Sequence, residues 1–153
     1  MVHSDFVHLH VHTQYSLLDG ACLLERLVNK AVEYKLPALA ITDHGNLFGA
    51  IKFYNLCIKS GVKPIIGCEM YVASGSRHKR EYKPGIDSNY HLILLAKDEE
   101  GYSNLIRLVS LANLEGFYYK PRIDKEILVQ YNKGLITSSS YSNLFLASPV
   151  LRG

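Results

Sequence analysis

The sequence predicts an α/β fold. Short, almost wholly apolar runs bounded by turn residues alternate with segments whose apolar residues fall at helical spacing, in the order β-α-β-α-β-β-α-α-β. The helical segments can serve as crossovers, which argues for parallel strands covered on both faces. At 153 residues the chain allows one domain with a real core. A complete (β/α) barrel takes roughly 200 residues or more, so the expectation is a smaller open sheet or an incomplete barrel.

Residues 6–13 read as a buried strand with His8, His10 and His12 on one face and Val7, Leu9, Val11 and Thr13 on the other. Ser16-Leu17-Leu18-Asp19-Gly20 reads as a loop into a helix over 22–34, where Leu23, Leu24, Leu27, Val28 and Ala31 recur at helical spacing. Pro37 ends that helix, and 38–42 form a short apolar strand closed by Asp43-His44-Gly45. Asn46 is expected to cap a second helix lined by Leu47, Ile51, Tyr54 and Ile58, with Gly61 as its left-handed C-terminal cap. A third strand spans 63–72, a basic surface loop 73–89 and a fourth strand 90–96. Asp98 caps a third helix carrying Leu105, Ile106, Val109 and Ala112. A tyrosine-rich connector over 117–122 then precedes a short helix capped by Asp124. A fifth strand begins at 134–137. Beyond it Ser138 to Asn143 is turn-like and 144–153 lacks periodicity, so 1–137 is read as the domain and 138–153 as a departing tail.

Composition excludes several classes. Apolar residues make up 48% and charged residues 20%, a globular balance rather than a disordered one. A net charge of +3 is too mild to announce a nucleic-acid partner by itself. Three cysteines, odd in number and without a Cys-x-x-Cys pair, argue against a disulfide framework or zinc ribbon, fit a reducing cytosol, and read as core. No apolar run approaches the ~20 residues of a membrane helix, and the N-terminus lacks a basic-then-apolar leader. A soluble, cytoplasmic protein with no membrane partner is expected.

In parallel α/β folds, functional side chains gather at the C-terminal ends of strands. Those ends offer His10 and His12 with Asp19 in the next loop, then Asp43-His44, then Glu69. His91 stands at the start of its strand, out of step with the others. Imidazole and carboxylate donors of this kind suit Zn, Mn or Fe, and a carboxylate can bridge two ions. Ions so placed suit phosphoester hydrolysis. Ordinary structural roles compete: His91 as a hydrogen-bonded strand residue, Asp43-His44-Gly45 as a turn with a helix cap. Glu69 is harder to explain that way, because an unpaired buried carboxylate costs several kcal/mol. His8 lies deeper from the strand end and fits packing or support behind the ligand histidines, while His3 and His78 are assigned to solvent. Arg77-His78-Lys79-Arg80 and Lys83 could meet a nucleic-acid backbone, but charge alone favours a solvated loop. Tyr118, Tyr119 and Arg122 could stack on bases, although packing under the loop is the commoner fate of such tyrosines. No nucleic-acid-binding residue is assigned.

Taken together, His-Leu-His-Val-His-Thr, Tyr-Ser-Leu-Leu-Asp-Gly, Ala-Ile-Thr-Asp-His-Gly, Ile-Ile-Gly-Cys-Glu and His-Leu-Ile-Leu-Leu-Ala resemble a PHP (polymerase and histidinol phosphatase) domain. The run Ala-Asn-Leu-Glu-Gly-Phe-Tyr-Tyr-Lys-Pro-Arg-Ile-Asp narrows the resemblance to the N-terminal region of bacterial DNA polymerase III α subunits, over about residues 5–136. The resemblance implies a distorted seven-stranded (β/α) barrel, here incomplete at about its first five strands. It also implies up to three divalent ions, Zn or Mn, at one mouth. His10, His12 and Glu69 would hold one ion, Glu69 and His91 a second, and Asp19 and His44 the third, with Asp43 as a supporting carboxylate behind the ligands. Implied activities are phosphoester hydrolysis and a 3′–5′ exonuclease. Implied partners are DNA and other replicase subunits, including a proofreading exonuclease or sliding clamp. Alternatives are a non-catalytic scaffold for the proofreading subunit and a free-standing phosphatase such as histidinol phosphatase. The family continues with a Cys ligand and an Asp-x-His pair that this chain lacks after Thr137. A truncated product with an unrelated tail, inactive or nearly so in isolation, is therefore expected. No palm-like carboxylate set for polymerisation is present.

Overall fold

The computed structural model describes residues 3–17, 19–81 and 89–139. Its elements are α1 (Leu24–Glu33), β1 (Ala38–Ile41), α2 (Ala50–Ser60), β2 (Lys63–Ala73), β3 (Asn89–Ala96), α3 (Glu99–Leu114), β4 (Arg122–Ile123), α4 (Lys125–Gln130) and β5 (Leu135–Ser139). The sheet runs β1-β2-β3-β5, and β4 pairs with the far end of β2.

The α/β class holds, but the all-parallel expectation does not. β1 and β4 run parallel to β2, whereas β3 is antiparallel to β2 and β5 antiparallel to β3. The reason lies in the connections. Helix α2 carries the chain back from β1 to β2, as a parallel neighbour requires, but the segment between β2 and β3 supplies no described helix. The reversal explains His91. The start of β3 lies beside the end of β2, with Tyr71 opposite His91 and Glu69 opposite Ile93. Residues opposite one another in an antiparallel pair share a face, so Glu69, Tyr71 and His91 do.

Residues 6–13 are not a regular buried strand. Ala40 donates to the His8 carbonyl at 3.0 Å and Thr42 to the Val11 carbonyl at 2.8 Å. Two steps along β1 thus face three along this segment, and the extra residue breaks the ladder as a bulge does. Phe6 and Leu9 are exposed in consequence. β4 was not foreseen, being only two residues long. β5 continues to Ser139, two residues past the expected strand and into the run read as turn, held by pairing to β3. Most of the supposed tail, from residue 140, lies outside the described residues, as does Lys83.

The core has two larger parts. One lies between β2, β3 and helices α3 and α4, around Met70, Leu94, Leu105, Leu108 and Ile123. The other packs α1 and α2 on β1, around Leu24, Val28, Leu39, Ile41 and Phe53. Helix α2 buries Ala50, Phe53 and Cys57 rather than the expected Ile51, Tyr54 and Ile58, all of which are exposed. Its start explains the rotation. Asn46 does not cap it: the side chain accepts from Phe48 N and donates to the carbonyls of Tyr15 and His44, each at 3.0 Å. The helix begins at Ala50 instead, while Gly61 (φ 71°) ends it as expected. Asp98 and Asp124 cap α3 and α4 through side-chain bonds to Gly101 N and Ile127 N. Cys57 and Cys68 are buried, but Cys22 is exposed.

Arg77 departs from the solvated basic loop. It is buried, with its guanidinium on Asp124, Glu115 and Glu126. Burial pushes the Asp124 carboxyl upward, but hydrogen bonds from Arg77 N and Ile127 N and the Arg77 charge outweigh it and hold it below its ordinary 3.8.

Two outcomes follow from this packing. Phe53→Ala should cost about 3–5 kcal/mol in urea unfolding, whereas Ile51→Ala should stay within about 0.5 kcal/mol. Equal effects would contradict the α2 rotation. Because the Asp124 pKa is depressed on folding, its stabilisation is present above the unfolded value and lost as pH falls through the lower folded value. The thermal midpoint should therefore drop below about pH 4. Asp124→Asn should start lower and show a shallower acid decline.

Candidate metal centre

Glu69 is the centre of the site. It lies on β2, 2% exposed, and its backbone is pinned to the loop after β1. Glu69 N donates to the Asp43 carbonyl at 3.1 Å and Gly45 N to the Glu69 carbonyl at 2.9 Å. His44 is thereby held beside Glu69. Gly45 sits at φ 60°, where a side chain would be strained and would meet Pro121 at 2.4 Å.

Four imidazoles surround the carboxylate. Glu69 Oε2 lies 2.7 Å from His10 Nε2 and 3.0 Å from His12 Nε2. Oε1 contacts His91 Nδ1 and lies 3.7 Å from His44 Nδ1. His44 Nε2 in turn lies 2.9 Å from Asp19 Oδ2. His12 stacks on His44 with ring centres 4.1 Å apart, and Tyr71 closes the far side, 5.8 Å from His44 and 4.9 Å from His91. Burial pushes the Glu69 carboxyl up, but the His10 hydrogen bond and the charges of His44, His91 and His12 reverse this and leave it below the ordinary range. Burial and then the His44 charge push the His12 imidazole down, against the pull of Glu69. The Tyr71 hydroxyl is raised to about 12 by burial and then by the Glu69 charge, so it stays protonated.

A second layer fixes this geometry. Asp43 is buried and acceptor-only when ionised. Its Oδ1 accepts from Thr13 N at 2.6 Å and Ser16 Oγ at 2.7 Å, and its Oδ2 from Thr13 Oγ1 at 2.8 Å. With its proton given to Asp43, Ser16 Oγ can only accept from His44 N at 3.1 Å and from His12 Nδ1 at 3.2 Å. His12 therefore carries its proton on Nδ1 and presents a bare Nε2 lone pair to the centre. Ser16 and Tyr71 escaped the sequence reading. The signal for Ser16 was its place four residues after His12, and for Tyr71 its place two residues after Glu69 on one strand face.

The donors fit a divalent ion. A bare His12 Nε2 facing a carboxylate oxygen at 3.0 Å is an acceptor–acceptor contact, relieved by a cation between them. His10, His12 and Glu69 present ligand atoms all within 4.8 Å of one another. His44 Nδ1 is buried without a hydrogen-bond partner. His8 stands apart: it is exposed, its ring edge-on to Phe6 at 4.7 Å. His3 and His78 are exposed.

The PHP domain family model matches residues 8–149. The chain belongs to the PHP family. It is 58% identical over 137 residues to DNA polymerase III subunit alpha of Chlamydia trachomatis, covering 88% of this chain and 11% of the relative. It is 56% identical to the subunit of the same name from Aquifex aeolicus, covering 86% and 12%. The chain thus spans about a tenth of the length of these relatives. A solved structure from Bifidobacterium adolescentis, assigned as a metal-dependent phosphoesterase, aligns at TM-score 0.46 and 20% identity over 70% of this chain and 34% of that one.

Ser16→Ala should free the His12 tautomer and weaken Zn or Mn binding by about 10–100-fold in calorimetric titration. Imidazole nitrogen NMR shifts should report a mixed tautomer at His12 in the metal-free variant. Unchanged affinity with an unchanged tautomer would rule out the role given to Ser16.

Proposed function

We propose that this PHP domain is the N-terminal portion of a bacterial replicative DNA polymerase of the DNA polymerase III α type, with a phosphoester-hydrolysing site that uses Zn or Mn. One observation carries the reading: four imidazoles and a buried carboxylate converge, with the ligand atoms of His10, His12 and Glu69 within 4.8 Å of one another. The relatives' names supply the polymerase context and DNA as the polymer concerned; a cytoplasmic setting is part of the proposal.

His10, His12 and Glu69 would hold the first ion, Glu69 and His91 a second, and His44 and Asp19 a third. A bound divalent ion supplies positive charge to phosphoryl oxygens and acidifies water. The chain's own residues do the rest. Ser16 and Asp43 keep His12 Nε2 free of a proton, and Thr13 locks Asp43 in place. The Tyr71 ring walls off solvent behind His44 and His91. In the longer protein such a site would act as a 3′–5′ exonuclease beside DNA synthesis, with other replicase subunits, a proofreading exonuclease or a sliding clamp, as partners. Six donors complete one three-ligand position and leave the His91 and His44–Asp19 positions short among the described residues. The purified chain alone is accordingly slow or inactive.

Metal analysis separates this from a docking scaffold without metal. The longer protein should retain one or more ions after dialysis, and His12→Ala or Glu69→Gln should lose most of the bound metal. Less than one ion in the unsubstituted protein would favour the scaffold. Robust metal-dependent nuclease activity in the 153-residue chain, abolished by His12→Ala, would overturn the expected inactivity. Turnover of histidinol phosphate would favour the small-molecule phosphatase.

A further inference from the structure

The connector between α3 and β4 does not pack under a loop as its tyrosines led us to expect. Tyr119 is 80% exposed and holds φ 57°, a left-handed conformation that a tyrosine rarely adopts. Such strain in an exposed aromatic calls for a use. The strained residue stands at the tip of a tight reversal, since Tyr118 and Lys120 bridge across it. Its ring meets Tyr118 edge-on at 4.7 Å, and the Arg122 guanidinium lies over Tyr118 at 5.2 Å. Arg122 is itself buried, bonded to the carbonyls of Gly116, Arg77 and Lys79. The exposed ring therefore rests on a rigid base.

The connector is also clamped to the metal-ligand cluster. Pro121 packs on Gly45, next to His44, so closely that any side chain at Gly45 would collide with it. Asn113 Nδ2 reaches the Gly45 carbonyl at 3.4 Å. Lys120 Nζ lies 4.4 Å from the centre of the Tyr71 ring, which also meets the rings of His44 and His91. Lys120 has no carboxylate partner among the described residues. An exposed lysine and an exposed, preset aromatic residue thus occupy successive positions of a connector clamped to the site.

We propose that residues 117–121 form a nucleotide subsite beside the metal-ligand cluster, in which Lys120 takes a backbone phosphate and Tyr119 stacks on a base of single-stranded nucleic acid. The inference rests on the reading of the site as a phosphodiester-binding one and names the substrate class. A nucleotide offers a phosphate and a planar base a short way apart, which a lysine and an exposed aromatic at successive positions of one connector suit. Stacking accepts any base, so the subsite is indifferent to sequence.

Fluorescence anisotropy with the 153-residue chain tests it, using a labelled oligodeoxythymidylate and an abasic oligomer of equal length. Tyr119→Gly removes the ring while suiting the left-handed backbone, so its thermal midpoint should be unchanged or higher. It should weaken oligodeoxythymidylate binding by about tenfold or more and leave abasic binding unchanged, while Tyr119→Phe keeps both. Lys120→Ala should weaken both oligomers alike and reduce the salt slope by about 0.7. Unchanged oligodeoxythymidylate binding in Tyr119→Gly, or equal losses on both oligomers, would overturn the stacking subsite. Failure of the longer protein to hydrolyse DNA with metal, with this binding pattern intact, would remove the hydrolytic reading and leave the subsite standing.

Discussion

A carboxylate buried at Glu69 is the constraint on which this structure turns. Removed from water, its charge is costly unless partners surround it. Four imidazoles do so, and they come from three separate places: the N-terminal segment, the loop after β1, and the start of β3. None of these is near Glu69 in the chain. Each has to be delivered by the fold, so the pairing of β2 with its neighbours and the assembly of the site are one event.

The neighbours of β2 divide that work. Along one edge β1 pairs with its first half, the His44 bridge follows at Glu69, and β4 takes its end. Along the other edge β3 returns antiparallel and sets His91 beside Glu69. An all-parallel sheet would have put the start of β3 at the opposite end and left His91 far from the carboxylate. The reversal is thus a requirement of the site, and His91 was its trace in the sequence.

What could be read in advance follows the range of the interactions. Apolar runs and caps are local, and β1, β2, β3, α3 and α4 were legible from them, as were Asp98, Asp124 and Gly61 as helix ends. The donor residues were legible because imidazoles and a carboxylate are unusual among apolar neighbours. Strand direction was not, since periodicity is the same in either sense. The face of α2 was missed because Asn46 spends its side chain on Tyr15 and His44 rather than on the helix, shifting the start to Ala50. Arg77 looked like one charge in a basic run, and only the distant Asp124 and Glu115 make it a buried one. The tyrosine connector was misjudged for a similar reason, because its exposure depends on Arg122 reaching across to Arg77 and Lys79.

The same distant contacts tie the connector to the metal centre. Arg122 anchors the connector on the loop after β2, Pro121 seats it on Gly45, and Gly45 is fixed to Glu69 by its backbone. A displacement of Glu69 would therefore move His44, Gly45 and the connector together. Packed elements shift as units, because an interior at close-packed density has little room to absorb the change locally. The exposed ring of Tyr119 and the ammonium of Lys120 are in this sense tied to the buried Glu69 carboxylate, through a chain of close backbone and side-chain contacts.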